Sequence, residues 1–430
     1  MLYYFYVRGE NMRRIFVFII TVFFIININL VCKAEEKTPD VAGAGVVLMD
    51  GKTGEVLFQK DMDKPLPPAS TTKIMTALLV LEKGKLNENV VIGKNPPNTD
   101  GTALGLTEGE TLTVEQLLNV LLIGSCNDAA TALAEHISGS VPEFAKLMNA
   151  RAKELGATNT NFKNPSGLYE ADHYVSAKDM SLIMREALKH PEFLEITQRP
   201  YYVIKSSDKV TTERWVNNRI RSLMKNSSVY YEPTISGKTG YTIQAKHSFV
   251  TAAKKDDRTL IVSILHTDDK DRYFDDSKKL FEYGFNNFDL VKLFSKGDKI
   301  KDFENSSNSG ANSNSIPLLA GSDFYYVIPK KENTVKPSIN ILDEDDISLK
   351  SFKKGDEIAS AKISLNDKDL GTVAIISGGD REEVKAISSK VKNNVNIYVL
   401  LGICIGLSIV FICLKYNIKR FKIKKKFKRR

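Results

Sequence analysis

Val395 to Leu414 is a run of twenty residues without a charged side chain. A helix of that length crosses the hydrocarbon layer of a bilayer, and such a stretch has few other stable fates. The tail after it, Lys415 to Arg430, holds ten Lys/Arg and no acid, which the positive-inside rule keeps on the cytoplasmic side. The spacing therefore predicts a transmembrane helix over 395–414, a basic cytoplasmic tail over 415–430, and a body held outside the membrane by its C-terminus. The other end agrees. Met12-Arg13-Arg14, the apolar run Ile15 to Leu30 and then Cys32-Lys33-Ala34 have the layout of a secretory signal peptide over 1–34. Val31 is larger than a lipoprotein site ahead of Cys32 usually tolerates.

These two ends also explain the charge. The chain carries +9 overall, of which residues 1–34 hold +3 and the tail +10, leaving −4 for 35–414. A mildly acidic body gives no electrostatic case for nucleic acid. Of four cysteines, Cys32 lies in the leader and Cys404 and Cys413 in the span, so only Cys126 remains in the exported part. One thiol makes no internal disulfide, and the fold must be held by its core. Five scattered histidines and no Cys/His spacing offer no metal site, and no cofactor is implied.

Between the ends the chain reads as two domains. Ala44 to Asp50 and Glu55 to Lys60 are strand-like runs around the turn Gly51-Lys52-Thr53-Gly54, a hairpin signal. Thr113 to about Gly156 is helical in pattern, and Ser176 to Lys189 reads as a helix capped by Ser176. Strands return at Ser248 to Ala253 and Leu260 to Leu265, with a helix over Asp275 to Phe285. Strands at both ends with helices between predict an α+β domain over 35–289, one mixed sheet packed on a helical cluster with sequence-distant strands side by side. Beyond Leu290, the low-complexity stretch Ser306 to Ser315 and short runs such as Phe324–Ile328, Ile358–Ile363 and Thr372–Ile376 predict a small all-β domain over 290–380. Residues 381–394 read as a stalk. No internal repeat is present.

Three short motifs carry the chemistry. Pro67-Pro68-Ala69-Ser70-Thr71-Thr72-Lys73 ends a loop and opens an Ala/Leu/Met-rich helix, which places Lys73 one turn from Ser70 on the same face. A serine hydroxyl needs a base, and a lysine whose pKa is lowered by burial or by another cation can be one. Ser125-Cys126-Asn127 is a polar step between apolar helical stretches, open to reading as a capped helix-to-helix turn or as a hydroxyl and an amide aimed at a substrate. Ser236-Gly237-Lys238-Thr239-Gly240-Tyr241 precedes a strand, and an edge strand carrying Lys-Thr-Gly can pair with an extended peptide. Each motif alone has an ordinary structural reading.

Together, in this order and in an exported protein, Ser-x-x-Lys, Ser-x-Asn and Lys-Thr-Gly are the trio of penicillin-binding proteins and class A β-lactamases. The chain resembles the low-molecular-mass D-alanyl-D-alanine carboxypeptidases, serine peptidase family S11, from about residue 40 to 380. The likeness extends to Asn127-Asp128-Ala129-Ala130, Leu133-Ala134-Glu135, Asn164-Pro165-Ser166-Gly167-Leu168 and His173.

The resemblance implies a penicillin-binding, β-lactamase-like transpeptidase domain, an antiparallel sheet with a helical cluster. Its Ser70 attacks the bond between two D-alanines of a peptidoglycan stem peptide, with β-lactams as covalent inhibitors. Lys73 is then the acylation base, helped by Lys238. Ser125 relays a proton toward the leaving amine, and Asn127 orients substrate and Lys73. Backbone N–H groups of Ser70 and Tyr241 form the oxyanion hole beside Gly240. Lys238 and Thr239, with Arg272 as a further candidate, hold the terminal carboxylate. Cys126 stands where the family usually has Gly and is expected to be inert. His247 reads as a packing or surface residue. A DD-endopeptidase and a β-lactamase share this machinery, the latter needing a second base on a loop between the second and third motifs. The acids of that interval include Glu143, Glu154, Glu170 and Glu186, and none sits in such a loop signature. An inactive wall-binding protein would keep the fold but has no reason to keep Ser70, Lys73 and Lys238. Nothing in the sequence fixes an oligomeric state.

Overall fold

Strand β1 (Gly45–Asp50) is buried along its whole length and has apolar side chains on both faces, so it sits inside a sheet covered on both sides. It pairs antiparallel with β2 (Val56–Lys60), and on its other edge with a strand more than two hundred residues away, Gly45 opposite Leu265 and Asp50 opposite Leu260. The structure, a computed structural model, describes residues 38–206, 209–304, 315–332, 336–342, 347, 350–381, 405, 407–412 and 415. Its described part divides into two compact units at Asp289/Leu290.

In the first unit β1 and β2 are followed by a 3₁₀ turn (Ala69–Thr72) and helix α1 (Lys73–Lys83). A two-stranded ribbon, β3 (Asn89–Val91) and β4 (Thr111–Thr113), leads to α2 (Val114–Asn119), α3 (Asn127–Ser138), α4 (Val141–Glu154), α5 (Ala177–Ala187) and α6 (Pro191–Gln198). A hairpin of β5 (Tyr201–Ile204) and β6 (Arg214–Asn217) precedes β7 (Thr234–Thr242), β8 (Lys246–Lys255), β9 (Arg258–Thr267) and α7 (Arg272–Asn287). The main sheet runs β2-β1-β9-β8-β7, antiparallel throughout.

The two-residue period of the strands builds two cores from one sheet. Val47 and Met49 of β1, Val250 and Ala252 of β8 and Ile261 of β9 face the helices α1 to α6. Val46 and Leu48, Phe249, and Leu260 and Val262 face α7, through Phe274, Leu280 and Phe281. Helix α1 is buried from Lys73 to Val80, apolar all round apart from Lys73 and Thr76, as a helix must be at the centre of a cluster. The expected capping of α5 is present, Ser176 Oγ accepting from Asp179 N at 3.1 Å. The helical stretch expected over 113–156 is three helices with a break at Ser125-Cys126.

Over 290–381 the described residues of the second unit are mainly strands, with a 3₁₀ turn at Lys330–Glu332, while 407–412 are helical. A five-stranded antiparallel sheet runs in the order β11 (Lys299–Glu304), β12 (Ser315–Ala320), β16 (Lys368–Ser377), β15 (Glu357–Leu365), β14 (Ser338–Leu342), and β10 (Phe288–Phe294) pairs with β13 (Phe324–Pro329). Leu318, Ile328, Ile363 and Ile375 are at its core. No helix among the described residues is long and apolar enough to cross a membrane. The expected leader over 1–34 lies outside the described residues, as does the expected loop over 306–315 except Ser315, which opens β12. The stalk over 381–394, the span over 395–414 and the tail over 415–430 lie largely outside them.

Candidate active site

The turn that carries Ser70 is strained and cramped. Ala69 has φ +50°, a conformation costly for a residue with a Cβ. It opens a 3₁₀ turn rather than the α-helical first turn expected, and α1 begins only at Lys73. The tighter winding suits the chemistry, because 3₁₀ geometry eclipses side chains at i and i+3. Lys73 Nζ accordingly donates to Ser70 Oγ at 3.1 Å. The turn is braced from behind by the loop Asn164–Leu168, where Gly167 has φ +83° and a Cβ would lie 1.8 Å from the Ala69 carbonyl oxygen. Only glycine fits there. The same loop offers the Ser166 carbonyl, which accepts from Lys73 Nζ at 2.7 Å.

The second motif owes its position to an interrupted helix. Helix α2 runs into a π-helical turn (Val120–Gly124), and Ser125 then takes φ +65°, which ends it. Cys126 occupies the cap position of α3, and neither Ser125 nor Asn127 caps a helix with its side chain. Both are aimed inward. Asn127 Oδ1 accepts from Lys73 Nζ at 2.7 Å, while its Nδ2 donates to the Asp100 carbonyl at 2.7 Å. Asp128, next in the chain, takes backbone N–H bonds from Leu104, Gly105 and Leu106 and so fixes the loop over the site. The Cys126 side chain is buried in the helical core, and burial first, then Asp128, pushes its thiol up to about 12. A thiol held neutral in this way is inert.

The third motif lies on β7, an edge strand. Lys238 is fully buried, with Nζ donating to Ser125 Oγ and to the Thr239 carbonyl, each at 2.9 Å. Gly240 lets the strand press against the Ser70 turn, since a Cβ there would sit 2.9 Å from Ser70 N and 3.0 Å from the Pro68 carbonyl oxygen. Tyr241 follows, exposed and stacked on His247 at 4.4 Å, so His247 lines the cleft as a packing residue. Ser70, Ser125, Thr239, Gly240 and Tyr241 all open on one cleft of about 420 Å³.

The two lysines set the electrostatics. Burial first, then the positive charge of Lys238, drives the Lys73 pKa well below the ordinary lysine range. Burial, then Arg219, lowers Lys238 to about 7. Such an arrangement supplies a neutral amine beside a serine hydroxyl at moderate pH. Among the described residues no cluster of three or more His, Cys, Asp or Glu could hold a metal.

Arg272 is corrected. It is the first residue of α7, and its guanidinium turns to Asp40 at 3.1 Å and Asp276 at 3.5 Å, outside the cleft lining. The cleft instead presents Arg219 and Arg221. Arg221 pairs with Asp271 at 2.6 Å. Arg219 is exposed and has no ion-pair or hydrogen-bond partner among the described residues, which leaves it free for a ligand's anion. Sequence reasoning missed it because Asn217 to Arg221 has no motif spacing; only its place at the end of β6, just ahead of the third motif, could have pointed to it.

The whole arrangement matches known proteins. The sequence profile of the D-alanyl-D-alanine carboxypeptidases, peptidase S11, matches residues 32–269, and that of the C-terminal domain of penicillin-binding protein 5 matches 288–383. The chain is 32% identical to D-alanyl-D-alanine carboxypeptidase DacF of Bacillus subtilis over 351 residues, 80% of this chain and 86% of that one. It is 34% identical to D-alanyl-D-alanine carboxypeptidase DacB2 of Mycobacterium tuberculosis over 252 residues, 57% of this chain and 84% of the other. The crystal structure of penicillin-binding protein 5 from Haemophilus influenzae superposes with a TM-score of 0.68 at 29% identity, covering 80% of this chain and 98% of that one. This chain belongs to the D-alanyl-D-alanine carboxypeptidase family, peptidase S11.

The lowered Lys73 pKa has a measurable sign. A base must be neutral to accept the Ser70 proton, so acylation of the full-length chain by benzylpenicillin is expected to rise with pH along a limb well below the ordinary lysine range. Lys238→Gln removes a neighbouring positive charge and therefore raises the Lys73 pKa. Rates measured by rapid quench across pH should show the limb moved to higher pH in the variant, short of an ordinary lysine because burial remains. An unmoved limb would contradict this coupling.

Proposed function

We propose that the protein is a serine-type D-Ala-D-Ala carboxypeptidase that trims the terminal D-alanine from peptidoglycan stem peptides. The observation that carries this is the contact of buried Lys73 with Ser70 Oγ, inside a cleft whose mouth holds the unpaired Arg219. An extended peptide would add to the edge of β7, with its C-terminal carboxylate toward Lys238, Thr239 and Arg219. Ser70 Oγ attacks the carbonyl carbon as its proton passes to Lys73 Nζ. The oxyanion that forms is held by the N–H groups of Ser70 and Tyr241, an interaction of a kind worth about 3–4 kcal/mol per donor. On collapse the C–N bond breaks, and the departing amine takes a proton by way of Ser125. Water then hydrolyses the Ser70 ester.

The environment of Lys73 also supports slow hydrolysis of a β-lactam adduct. Its third partner is the Ser166 carbonyl, a group unable to take a proton from water. Glu143, Glu154 and Glu186 are in ion pairs, Glu170 accepts from Asn164, and none of them lines the cleft. β-Lactams accordingly act as lasting covalent inhibitors rather than substrates. The body is exported and tethered through 395–414, with the tail 415–430 in the cytoplasm; support for this placement comes from the sequence of the two ends.

Intact-mass spectrometry of the full-length chain with benzylpenicillin should show an adduct persisting for minutes. Ser70→Ala should show none and should lose at least about 10⁴-fold in D-alanine release from a pentapeptide. Rapid turnover without an adduct would point to a β-lactamase. Arg219→Ala should raise KM roughly tenfold for a peptide ending in a free carboxylate while leaving an amidated analogue unaffected. For the anchor, the chain should stay in the membrane pellet after alkaline carbonate washing, and a chain ending at Arg381 should be released; a full chain that washes off would overturn the tether.

A further inference from the structure

The β5–β6 hairpin presents an aromatic face to solvent that the proposed chemistry does not use. Trp215 is 58% exposed and Tyr201 51% exposed, with rings 5.4 Å apart at 32°, so they form one contiguous apolar surface. Register explains why both look outward. Tyr201 lies opposite Asn217 and Val203 opposite Trp215, so Tyr201, Trp215 and Asn217 share a face while Ile204 and Val216 point into the protein. Exposing two large aromatic rings is unfavourable unless something covers them.

The hairpin is firmly held. Arg214 makes an ion pair with the fully buried Glu110 and donates to the Gly105 carbonyl. Val216 packs so closely on Gly124 that a Cβ at that glycine would lie 2.6 Å from it. Asn218 ties the strand's end to the Thr197 and Arg199 carbonyls, each at 2.8 Å. Beside Tyr201 and Asn217 a groove of about 600 Å³ continues past Asn218, Leu223 and Asn226. The amides of Asn217 and Asn226 have no hydrogen-bond partner among the described residues.

Flat aromatic faces next to unpaired amides suit one class of ligand. The C–H face of a pyranose ring carries partial positive charge and stacks on the negative face of an aromatic ring, while its hydroxyl and acetamido groups need hydrogen-bond partners at the edge. Position favours it too. Arg219 at the cleft follows Trp215 of β6 by four residues, at most roughly 13 Å of chain, and a peptide of about five residues extends roughly 17 Å. Building on the stem-peptide reading of the cleft, we propose that the Tyr201–Trp215 face is a carbohydrate platform that holds the N-acetylated amino-sugar strand from which the peptide hangs.

Trp215 is the chain's single tryptophan, so its fluorescence reports on this face alone. Titrating the full-length chain with a tetrasaccharide of N-acetylglucosamine should give a saturable change, retained in Ser70→Ala and weakened roughly tenfold in Tyr201→Ala. Trp215→Ala should raise KM about tenfold for a pentapeptide linked to its disaccharide and leave the sugar-free pentapeptide unchanged. No fluorescence response, or equal effects on both substrates, would overturn the platform. Failure of the carboxypeptidase reading looks different: the unmodified chain would then release D-alanine from neither substrate, while the titration still decides whether the face binds sugar.

Discussion

Two lysines buried within one site are the constraint on which the rest of this structure depends. Removing an ammonium group from water costs several kcal/mol, and a second cation nearby raises that cost. The usual remedy, a carboxylate, is missing from the direct partners of both. Lys73 is held instead by a hydroxyl, a side-chain amide and a backbone carbonyl, and Lys238 by a hydroxyl and a carbonyl. These neutral acceptors satisfy the N–H groups without fixing the positive charge, so the cost of burial emerges as lowered pKa values. A carboxylate in their place would stabilise the charged forms and leave no neutral amine beside Ser70.

Holding such partners in place requires strain elsewhere. Ala69 and Ser125 both adopt positive φ, on either side of the cleft. Each is locked by surroundings that leave no alternative: Gly167 and Gly240 let backbone press on the Ala69–Ser70 turn, and the π turn before Ser125 fits against the β6 strand at Gly124. Such strain survives only when packing over-determines it. The sheet provides that rigidity, because its two faces are covered by separate cores and β7, though an edge strand, is tied along its length to β8.

The hairpin that carries Trp215 and Tyr201 extends the same logic outward. Its inner face helps to build the site, through Val216 against Gly124, while its outer face remains apolar and exposed. One element thus links the position of Ser125 to a surface suited to the polymer that bears the peptide.

Much of this was legible in residue order. The hairpin at 45–60, the strands at 246–267, helix α7 and the β character of 290–380 follow from short-range periodicity, which burial of one face imposes on any chain. Ser70, Lys73, Ser125, Asn127 and Lys238 could be singled out because their chemistry is carried by residue types at local spacings. Arg272 and Arg219 show the limit. Both are arginines near the third motif, and only the tertiary fold decides that the first turns to Asp40 and Asp276 while the second faces the cleft. The 3₁₀ turn at Ser70, the π turn ahead of Ser125 and the Ser166 carbonyl at Lys73 were equally hidden, since each depends on what a distant segment presses against. The sequence by itself determined which groups are candidates for the chemistry and which runs form strands and helices. The tertiary structure alone decided how far those groups are desolvated and which way each side chain points, because both are set by contacts between residues far apart in the chain.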